Sequence, residues 1–209
     1  MEPWQESADR MVTDLGTLPP AVAAAMRAVP RHWFVPSDSL DRAYDDEPVP
    51  LGNDYATVSA PHMVALQLES AELRPGAKLL EIGSGSGYLL AVAAQLVGPT
   101  GHLVGVEVDA GLAARSRATL ARLGVDATIR IRDGRASVPE GAVFDAVVVS
   151  CASAMLYPSW VAALAEGGRL VAPVGTPVEQ VLTVYRRTGD HGTTTLGPAC
   201  RFVPLRPPI

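Results

Sequence analysis

The chain has 209 residues, 48% of them apolar, which is enough for one domain with a sizeable hydrophobic core. Its net charge of -5, without any run of Lys or Arg, argues against a nucleic-acid-binding surface, because phosphate binding depends on clustered cations. No apolar segment approaches the ~20 residues of a membrane span, and the N-terminal sequence MEPWQESADR begins with acids where a secretory signal is basic. We therefore expect a cytoplasmic monomer without nucleic-acid or membrane partners.

Residues 1–60 differ in sequence pattern from the rest of the chain. Short helical segments, such as AVAAAMRAV at residues 21–29, alternate with prolines at Pro19, Pro20, Pro30, Pro36, Pro48 and Pro50. This pattern predicts a helical N-terminal cap followed by a proline-bounded loop. We divide the chain into this cap and loop, residues 1–60, and a main domain, residues 61–209.

From Lys78 onward, short apolar runs alternate with helix-length segments. The runs are KLLEI, HLVGVEV, ATIRIR and FDAVVVS, rich in Val, Ile and Leu as strands buried on both faces are. Helices are predicted over residues 87–97 and 110–124, the second ending on a glycine suited to a helix C-terminus. This β-α-β order favours an α/β fold with a doubly wound, mostly parallel sheet.

In the last third of the chain, the sequence predicts a different connection between strands. A helix is expected over YPSWVAALAEG, residues 157–167, and a strand over GGRLVAPVG, residues 167–175. The segments VEQVLTVYRR and TTTLGPACRFVPL follow with hydrophobic alternation and no helix between them, which predicts an antiparallel C-terminal hairpin. Prolines near the end indicate that the C-terminus leaves the sheet as a loop.

The stretch LLEIGSGSGY, residues 79–88, places a bare turn directly after the first predicted strand of the main domain. At that position in a parallel sheet, backbone N–H groups meet a bound ligand, and glycine allows both positive φ and close approach. A dinucleotide fingerprint would require glycine at position 88, where Tyr88 stands, so the spacing is G-x-G-x-G. A tight turn without a ligand is the alternative. The residues of this turn are Gly83, Ser84, Gly85, Ser86 and Gly87.

Acidic residues stand beside this turn and at the ends of the next two strands. Glu81 precedes the turn; Glu107, followed by Val108, closes the second strand, where a carboxylate can accept hydrogen bonds from both hydroxyls of a ribose. Asp133 and Gly134 follow the third strand, where an acid can meet an adenine amino group. Singly, each acid could be a turn cap or a solvated strand end. Together they indicate an adenosine cofactor that has a cationic end and no phosphates.

This arrangement of acids and glycines resembles the S-adenosylmethionine-dependent methyltransferases, which implies a Rossmann-like fold and S-adenosyl-L-methionine as cofactor. Two further stretches, VPRHWFVP and AYDDEPVPLGNDYATVSAPHM, resemble the protein-L-isoaspartate O-methyltransferase family in its VPR-x-x-FVP, D-x-P and T-[IV]-S-x-P-[HY] motifs. The resemblance runs from about Val29 to Leu205. It implies methyl transfer to the α-carboxylate of an isoaspartyl residue in a protein or peptide, giving an ester that collapses to a succinimide.

The same resemblance assigns roles on the acceptor side. Ser59 is implied as the active-site hydroxyl, and Thr57, Val58, Ala60, Pro61 and His62 as the loop that covers the substrate; Cys151 and Ser153 would border the transfer site. A carboxylate with a pKa near ~4 is already ionised, so the reaction needs no general base and a hydroxyl can orient the acceptor. Ser59 could also, or instead, punctuate the start of a helix, and His62 could be structural.

Three other functions stay open. After the fourth strand this chain has CASAMLYP, residues 151–158, where the family usually has a run of small residues, so the acceptor could differ. The alternatives are a dedicated peptide-tailoring aspartyl O-methyltransferase, a small-molecule O- or N-methyltransferase, and a cofactor-binding protein without catalysis.

The cysteines and histidines predict neither a disulfide framework nor a metal site. Cys151 and Cys200 lack a CxxC motif, and the four histidines lie far apart along the chain. We expect both cysteines to be buried small side chains and no metal to be bound.

Overall fold

The computed structural model describes residues 3–52, 55–136, 143–189 and 191–207. Within these ranges it contains six α-helices: Pro3–Asp14 (α1), Pro20–Ala28 (α2), Pro61–Ala71 (α3), Tyr88–Val97 (α4), Ala110–Arg122 (α5) and Pro158–Ala162 (α6). Two 3₁₀ turns, Arg31–Trp33 and Ser37–Arg42, join the N-terminal helices to the main domain. None of the helices in the described ranges is long and apolar enough to cross a membrane.

Nine strands are found in the same ranges: Val49–Pro50 (β1), Thr57–Val58 (β2), Lys78–Ile82 (β3), His102–Glu107 (β4), Ala127–Ile131 (β5), Phe144–Val149 (β6), Leu164–Gly175 (β7), Gln180–Thr188 (β8) and His191–Cys200 (β9). β1 and β2 form a small antiparallel pair. The other strands form one sheet in the order β5-β4-β3-β6-β7-β8-β9, parallel from β5 to β7 and antiparallel at β8 and β9. The predicted fold class and C-terminal hairpin are confirmed.

The strand order reverses direction between β3 and β6. The chain continues from β3 to β4 on one side, and returns to place β6 on the other side. Such a switch point leaves a crevice at the carboxyl ends of the two strands, where ligands bind in open α/β sheets. The glycine turn after β3 and the Ser150–Cys151 stretch after β6 both lie at this crevice.

Two apolar clusters cover the two faces of the sheet. Successive residues along β3, such as Leu79 and Leu80, fall in different clusters, because neighbouring side chains of a strand point to opposite faces of the sheet. The first cluster also contains Met26 and Leu90, so α2 packs with α4 against the sheet. The second is built around Trp160 of α6.

The expected helix over residues 157–167 is wrong in length. Only Pro158–Ala162 is helical, and β7 begins at Leu164 instead of residue 167. Leu164 pairs with Phe144, and the pairing then shifts register before Arg169 meets Ala146. The apolar side chains of this stretch suit a helix and a buried strand equally, and pairing with β6 decides for the strand.

Candidate active site

A central cavity opens at the carboxyl ends of β3, β4 and β6. With the open space at its mouth included, it encloses about 590 Å³. An adjoining cavity of about 330 Å³ shares Thr57, Gly83, Gly85 and Ser150 with it and lies under the loop that carries Ser59. The structure therefore brings the glycine turn and the predicted acceptor loop to one connected space.

The glycine turn has the backbone that only glycine adopts without strain. Gly83, Gly85 and Gly87 have φ values of +75°, +51° and +86°. A Cβ at Gly87 would lie 2.4 Å from Ser116 Oγ of α5, so this glycine is also required for packing. Gly83 and Gly85 line the central cavity, whose wall is bare main chain at these two positions.

Glu107 is held rigidly at the edge of the central cavity. One carboxylate oxygen accepts the Gly85 amide at 2.8 Å, and the other accepts the amides of Val108 at 2.8 Å and Asp109 at 3.0 Å. These bonds fix the end of β4 to the glycine turn. They leave one acceptor site free, on the oxygen that accepts the Gly85 amide, because each carboxylate oxygen has two acceptor sites.

Glu81 is a buried acid with one unsatisfied oxygen. Its Oε1 accepts the Ser150 hydroxyl at 2.6 Å, while within the described residues Oε2 has no hydrogen-bond partner. Burial raises the pKa of Glu81 to about 8, against the opposing effect of the Ser150 hydrogen bond and with a smaller contribution from the charge of Glu107. An acceptor left unpaired in a buried site is costly, and a cationic ligand group would satisfy it.

The acceptor loop runs from β2 into α3. Thr57, Val58 and Ser59 line the adjoining cavity together with Glu81 and the glycine turn. The helix begins at Pro61 with Ala60 as N-cap and no side-chain cap, so the alternative prediction that Ser59 caps this helix is wrong.

His62 lies on the exposed side of the first turn of α3. Its backbone amide donates to Asp46 Oδ1 at 2.9 Å, and its Nδ1 lies 2.8 Å from the same oxygen. Asp46 thus fastens the start of α3 to the preceding loop through both groups.

The polar groups of two predicted site residues, Asp133 and Ser153, bond to neighbouring residues of the chain. Asp133 is paired with Arg135, whose guanidinium lies 2.6 Å from Asp133 Oδ2 and holds the pKa of that carboxyl below its ordinary value. The Ser153 hydroxyl donates to the Met155 carbonyl at 2.6 Å. Among the described residues that line the two cavities, Gly134 is present but Asp133 and Ser153 are not.

The segment Val203–Arg206 lines the central cavity, a role that the sequence did not indicate. It is attached to the strip after β6, because the Ala152 amide donates to the Val203 carbonyl at 2.7 Å and the Leu205 amide donates to the Ala152 carbonyl at 2.8 Å. The predicted C-terminal loop therefore returns over the site. Its prolines signalled the departure from the sheet but carried no information about the return.

Tyr55 and Arg206 meet at the mouth of the central cavity. The Arg206 guanidinium lies 4.0 Å from the centre of the Tyr55 ring, and the Tyr55 hydroxyl donates to Asp109 Oδ2 at 2.8 Å. Three elements are joined by these contacts: the acceptor loop, the start of α5 and the C-terminal segment.

The cysteine prediction is confirmed for one residue only. Cys151 is buried beside Gly83, and burial raises the pKa of its thiol, whereas Cys200 is partly exposed. Across the described ranges, no group of three or more His, Cys, Asp or Glu side chains is arranged to hold a metal ion.

Comparison with known proteins gives a consistent result over nearly the whole chain. Residues 10–207 match the family described as Protein-L-isoaspartate(D-aspartate) O-methyltransferase (PCMT). A protein-L-isoaspartate O-methyltransferase of Methanopyrus kandleri is 42% identical over 193 residues, which cover 88% of this chain and 82% of that protein.

Solved structures agree with the sequence comparison. A protein-L-isoaspartate O-methyltransferase aligns with a TM-score of 0.86 and 27% identity over 96% of this chain; the chain spans 65% of the length of that protein. A Plasmodium falciparum protein assigned to the same activity, crystallised with S-adenosyl-L-homocysteine, aligns with a TM-score of 0.84 and 26% identity, covering 95% of this chain and 98% of that one.

Proposed function

The chain belongs to the protein-L-isoaspartate(D-aspartate) O-methyltransferase family, and from that premise we propose that it methylates the free α-carboxylate of isoaspartyl residues in proteins or peptides. The cofactor of this family is S-adenosyl-L-methionine, which supplies a methyl group activated on a sulfonium. The observation that carries the proposal is the shared cavity, which Ser59, Glu81 and the glycine turn line together.

The residues present fit the cofactor. Among the residues that the structure describes, Glu81 Oε2 is a buried acceptor without a hydrogen-bond partner, which suits a ligand ammonium group. Glu107 is fixed by three backbone amides and has one acceptor site left for a ribose hydroxyl. Because Gly83 and Gly85 have no side chains, the ligand can approach the main chain closely at these positions. Ser84, Ser86, Val108 and Gly134 complete the proposed binding set, while Asp133 requires release from Arg135 before it can contact adenine.

On the acceptor side, the enzyme has to orient the carboxylate nucleophile but does not have to deprotonate it. An isoaspartyl α-carboxylate is ionised at neutral pH, so no proton has to be removed. We propose that the Ser59 hydroxyl donates to one carboxylate oxygen and that Thr57, Val58, Ala60, Pro61 and His62 shield it from water. A desolvated and oriented carboxylate attacks more readily because its reorganisation has already been completed.

The product ester is chemically predisposed to rearrange. The backbone nitrogen that follows the modified residue can attack the ester carbonyl, forming a C–N bond to give the succinimide. The C–O bond to methoxide breaks, and the amide proton leaves with it as methanol. This step requires no further residue of the enzyme.

The direct test is transfer of labelled methyl groups to a matched pair of peptides that differ only in one residue, isoaspartyl or aspartyl. We expect labelling of the isoaspartyl peptide alone, released by base as methanol. Labelling of the aspartyl peptide, or of neither peptide by an enzyme that binds S-adenosyl-L-homocysteine, would contradict the proposal. The peptide-tailoring and small-molecule alternatives are not favoured, because the relatives are named for isoaspartate.

We further propose that the enzyme is a cytoplasmic monomer that acts on protein without nucleic-acid or membrane partners, and that residues 1–60 act as cap and acceptor loop for residues 61–209. The net charge of -5 supports the first part. The position of β2 over the glycine turn supports the second. Light scattering on the purified chain, with and without S-adenosyl-L-homocysteine, tests the monomer directly.

A further inference from the structure

Arg31 is a fully buried arginine in the first 3₁₀ turn, with 0% of its surface exposed. Its guanidinium donates to three backbone carbonyls: those of Ala43, of Glu47 at 3.2 Å and of Ser59 at 3.0 Å. In the described part of the chain it forms no ion pair with a carboxylate. Burying a cation without a paired anion costs stability, so a role beyond stability is indicated.

Two of the three carbonyls, those of Ala43 and Glu47, belong to the segment that precedes the acceptor loop, and the third belongs to the loop itself. Ala43 and Glu47 bracket the segment that contains Asp46, which holds the amide and ring of His62. The third carbonyl is that of Ser59 itself. A single planar group therefore fixes Ser59 relative to the segment that anchors α3.

Arg31 also contacts the element that follows the glycine turn. Its guanidinium carbon lies 5.6 Å from the ring centre of Tyr88, the first residue of α4. Tyr88 lines the adjoining cavity together with Ser59. Phe34, from the same VPRHWFVP stretch as Arg31, packs edge-on against the Tyr88 ring at 5.4 Å.

We propose that Arg31 is a positioning residue, which holds Ser59 in register with the glycine turn so that the acceptor carboxylate meets the methyl donor. The proposal rests on the proposed function of this site. The fork of an arginine can serve carbonyls on several segments at once, whereas the ammonium group of a lysine is a compact point donor on a shorter side chain. The cofactor-binding groups Glu81 and Glu107 do not depend on this fork, so acceptor alignment and cofactor binding should respond differently.

The test compares Arg31→Lys and Arg31→Met with Arg27→Lys, which makes the same change at a half-exposed arginine paired with Asp9. We expect kcat for the isoaspartyl peptide to fall about 10- to 100-fold in Arg31→Lys, and further in Arg31→Met. The Kd for S-adenosyl-L-homocysteine should stay unchanged in all three, as should kcat in Arg27→Lys. Unchanged kcat in Arg31→Lys, or a loss matched by an equal loss of cofactor affinity, would overturn the proposal.

A measurement on the wild type guards against variants that do not fold. With ¹⁵N-labelled arginine, Arg31 should show resolved and slowly exchanging Nη signals that shift when isoaspartyl peptide is added, while those of Arg27 stay averaged. Freely averaged Arg31 signals would overturn the proposal without any variant. If the wild type methylates no isoaspartyl peptide, the proposed function fails, and this outcome is distinct from an active wild type with an equally active Arg31→Lys.

Discussion

Glu81 illustrates at the scale of one residue how the site trades stability for binding. Its folded-state pKa of about 8 lies above the ordinary value of 4.5, so the folded chain holds a proton that the unfolded chain has released. Between those two values the free energy of unfolding must fall as pH rises, and it levels off above about 8. The contribution of Glu81 to stability is thus present at low pH and lost on the way to pH 8.

We expect Glu81→Gln to melt at a higher temperature than wild type at pH 8 in the absence of ligand, and to lose part of the fall in melting temperature between pH 5 and 8. The same substitution should weaken binding of S-adenosyl-L-homocysteine, because a neutral amide attracts an ammonium group less. Scanning calorimetry across this pH range gives the first result and titration calorimetry the second. If the melting temperatures of the two proteins changed with pH by the same amount, the argument that Glu81 is a buried acid with a raised pKa would be refuted.

Ser59 is the second residue whose chemistry can be isolated. Ser59→Ala removes a hydroxyl that lines the adjoining cavity and caps no helix. We expect methyl transfer to fall about tenfold or more, because an acceptor carboxylate loses one orienting hydrogen bond. Cofactor affinity should not change.

Initial rates at saturating cofactor measure this effect. Ser39→Ala is the matched control, since the Ser39 hydroxyl is exposed and contacts only the neighbouring Asp38 side chain in the described structure. Equal rates for wild type and Ser59→Ala would remove Ser59 from the mechanism.

At the scale of elements, the C-terminal segment Val203–Arg206 forms part of the wall of the central cavity. Arg206 stacks on Tyr55, which is tied to the N-cap residue of α5, Asp109. An exposed cation–π contact contributes about 0.5–1 kcal/mol, so Arg206→Ala should release S-adenosyl-L-homocysteine about two- to fivefold faster. Stopped-flow displacement measures this rate.

Arg201→Ala provides the control, because Arg201 is an exposed arginine that lies just before this segment and does not line the central cavity. If both substitutions changed the rate of release equally, the effect would come from net charge and not from closure of the cavity.

The elements also show what a sequence can and cannot reveal. β3, β4, β5 and β6 end within one residue of prediction, because their Val, Ile and Leu runs are bounded by turn residues. The glycine turn can be recognised in the sequence, because the G-x-G-x-G spacing places glycine at each position where φ is positive. By contrast, the return of Val203–Arg206 depends on pairing with Ala152, some fifty positions earlier in the chain, and no local pattern encodes such a pair.

The same distinction holds within the candidate site. Glu81 and Glu107 can be predicted as neighbours because they lie near the carboxyl ends of β3 and β4, which meet at one edge of the sheet. The sequence does not single out Arg31, because arginine is ordinarily exposed and its three acceptors are main-chain carbonyls that carry no side-chain signature. Asp133 follows β5, but its pairing with Arg135 cannot be inferred from composition alone.

At the scale of the whole molecule, the N-terminal cap shares its core with the sheet. Met26 of α2 is fully buried and belongs to the same apolar cluster as Leu79 of β3 and Leu90 of α4. An apolar cluster that spans both parts couples their unfolding, because neither part can expose its share of the cluster without exposing the other's. The cap should therefore not melt separately, even if its role in the reaction is distinct.

We expect Met26→Ala to destabilise the entire chain by about 2–5 kcal/mol, as truncation of a buried methionine does, and to leave a single unfolding transition. Circular dichroism, which reports on all helices, and hydrogen exchange of the β3 amides should move together. Met155→Ala, the same change at a side chain that is 52% exposed, should leave stability nearly unaltered. Two transitions in Met26→Ala, with β3 protected after the cap has melted, would show instead that the cap is an independent unit resting on a self-sufficient sheet.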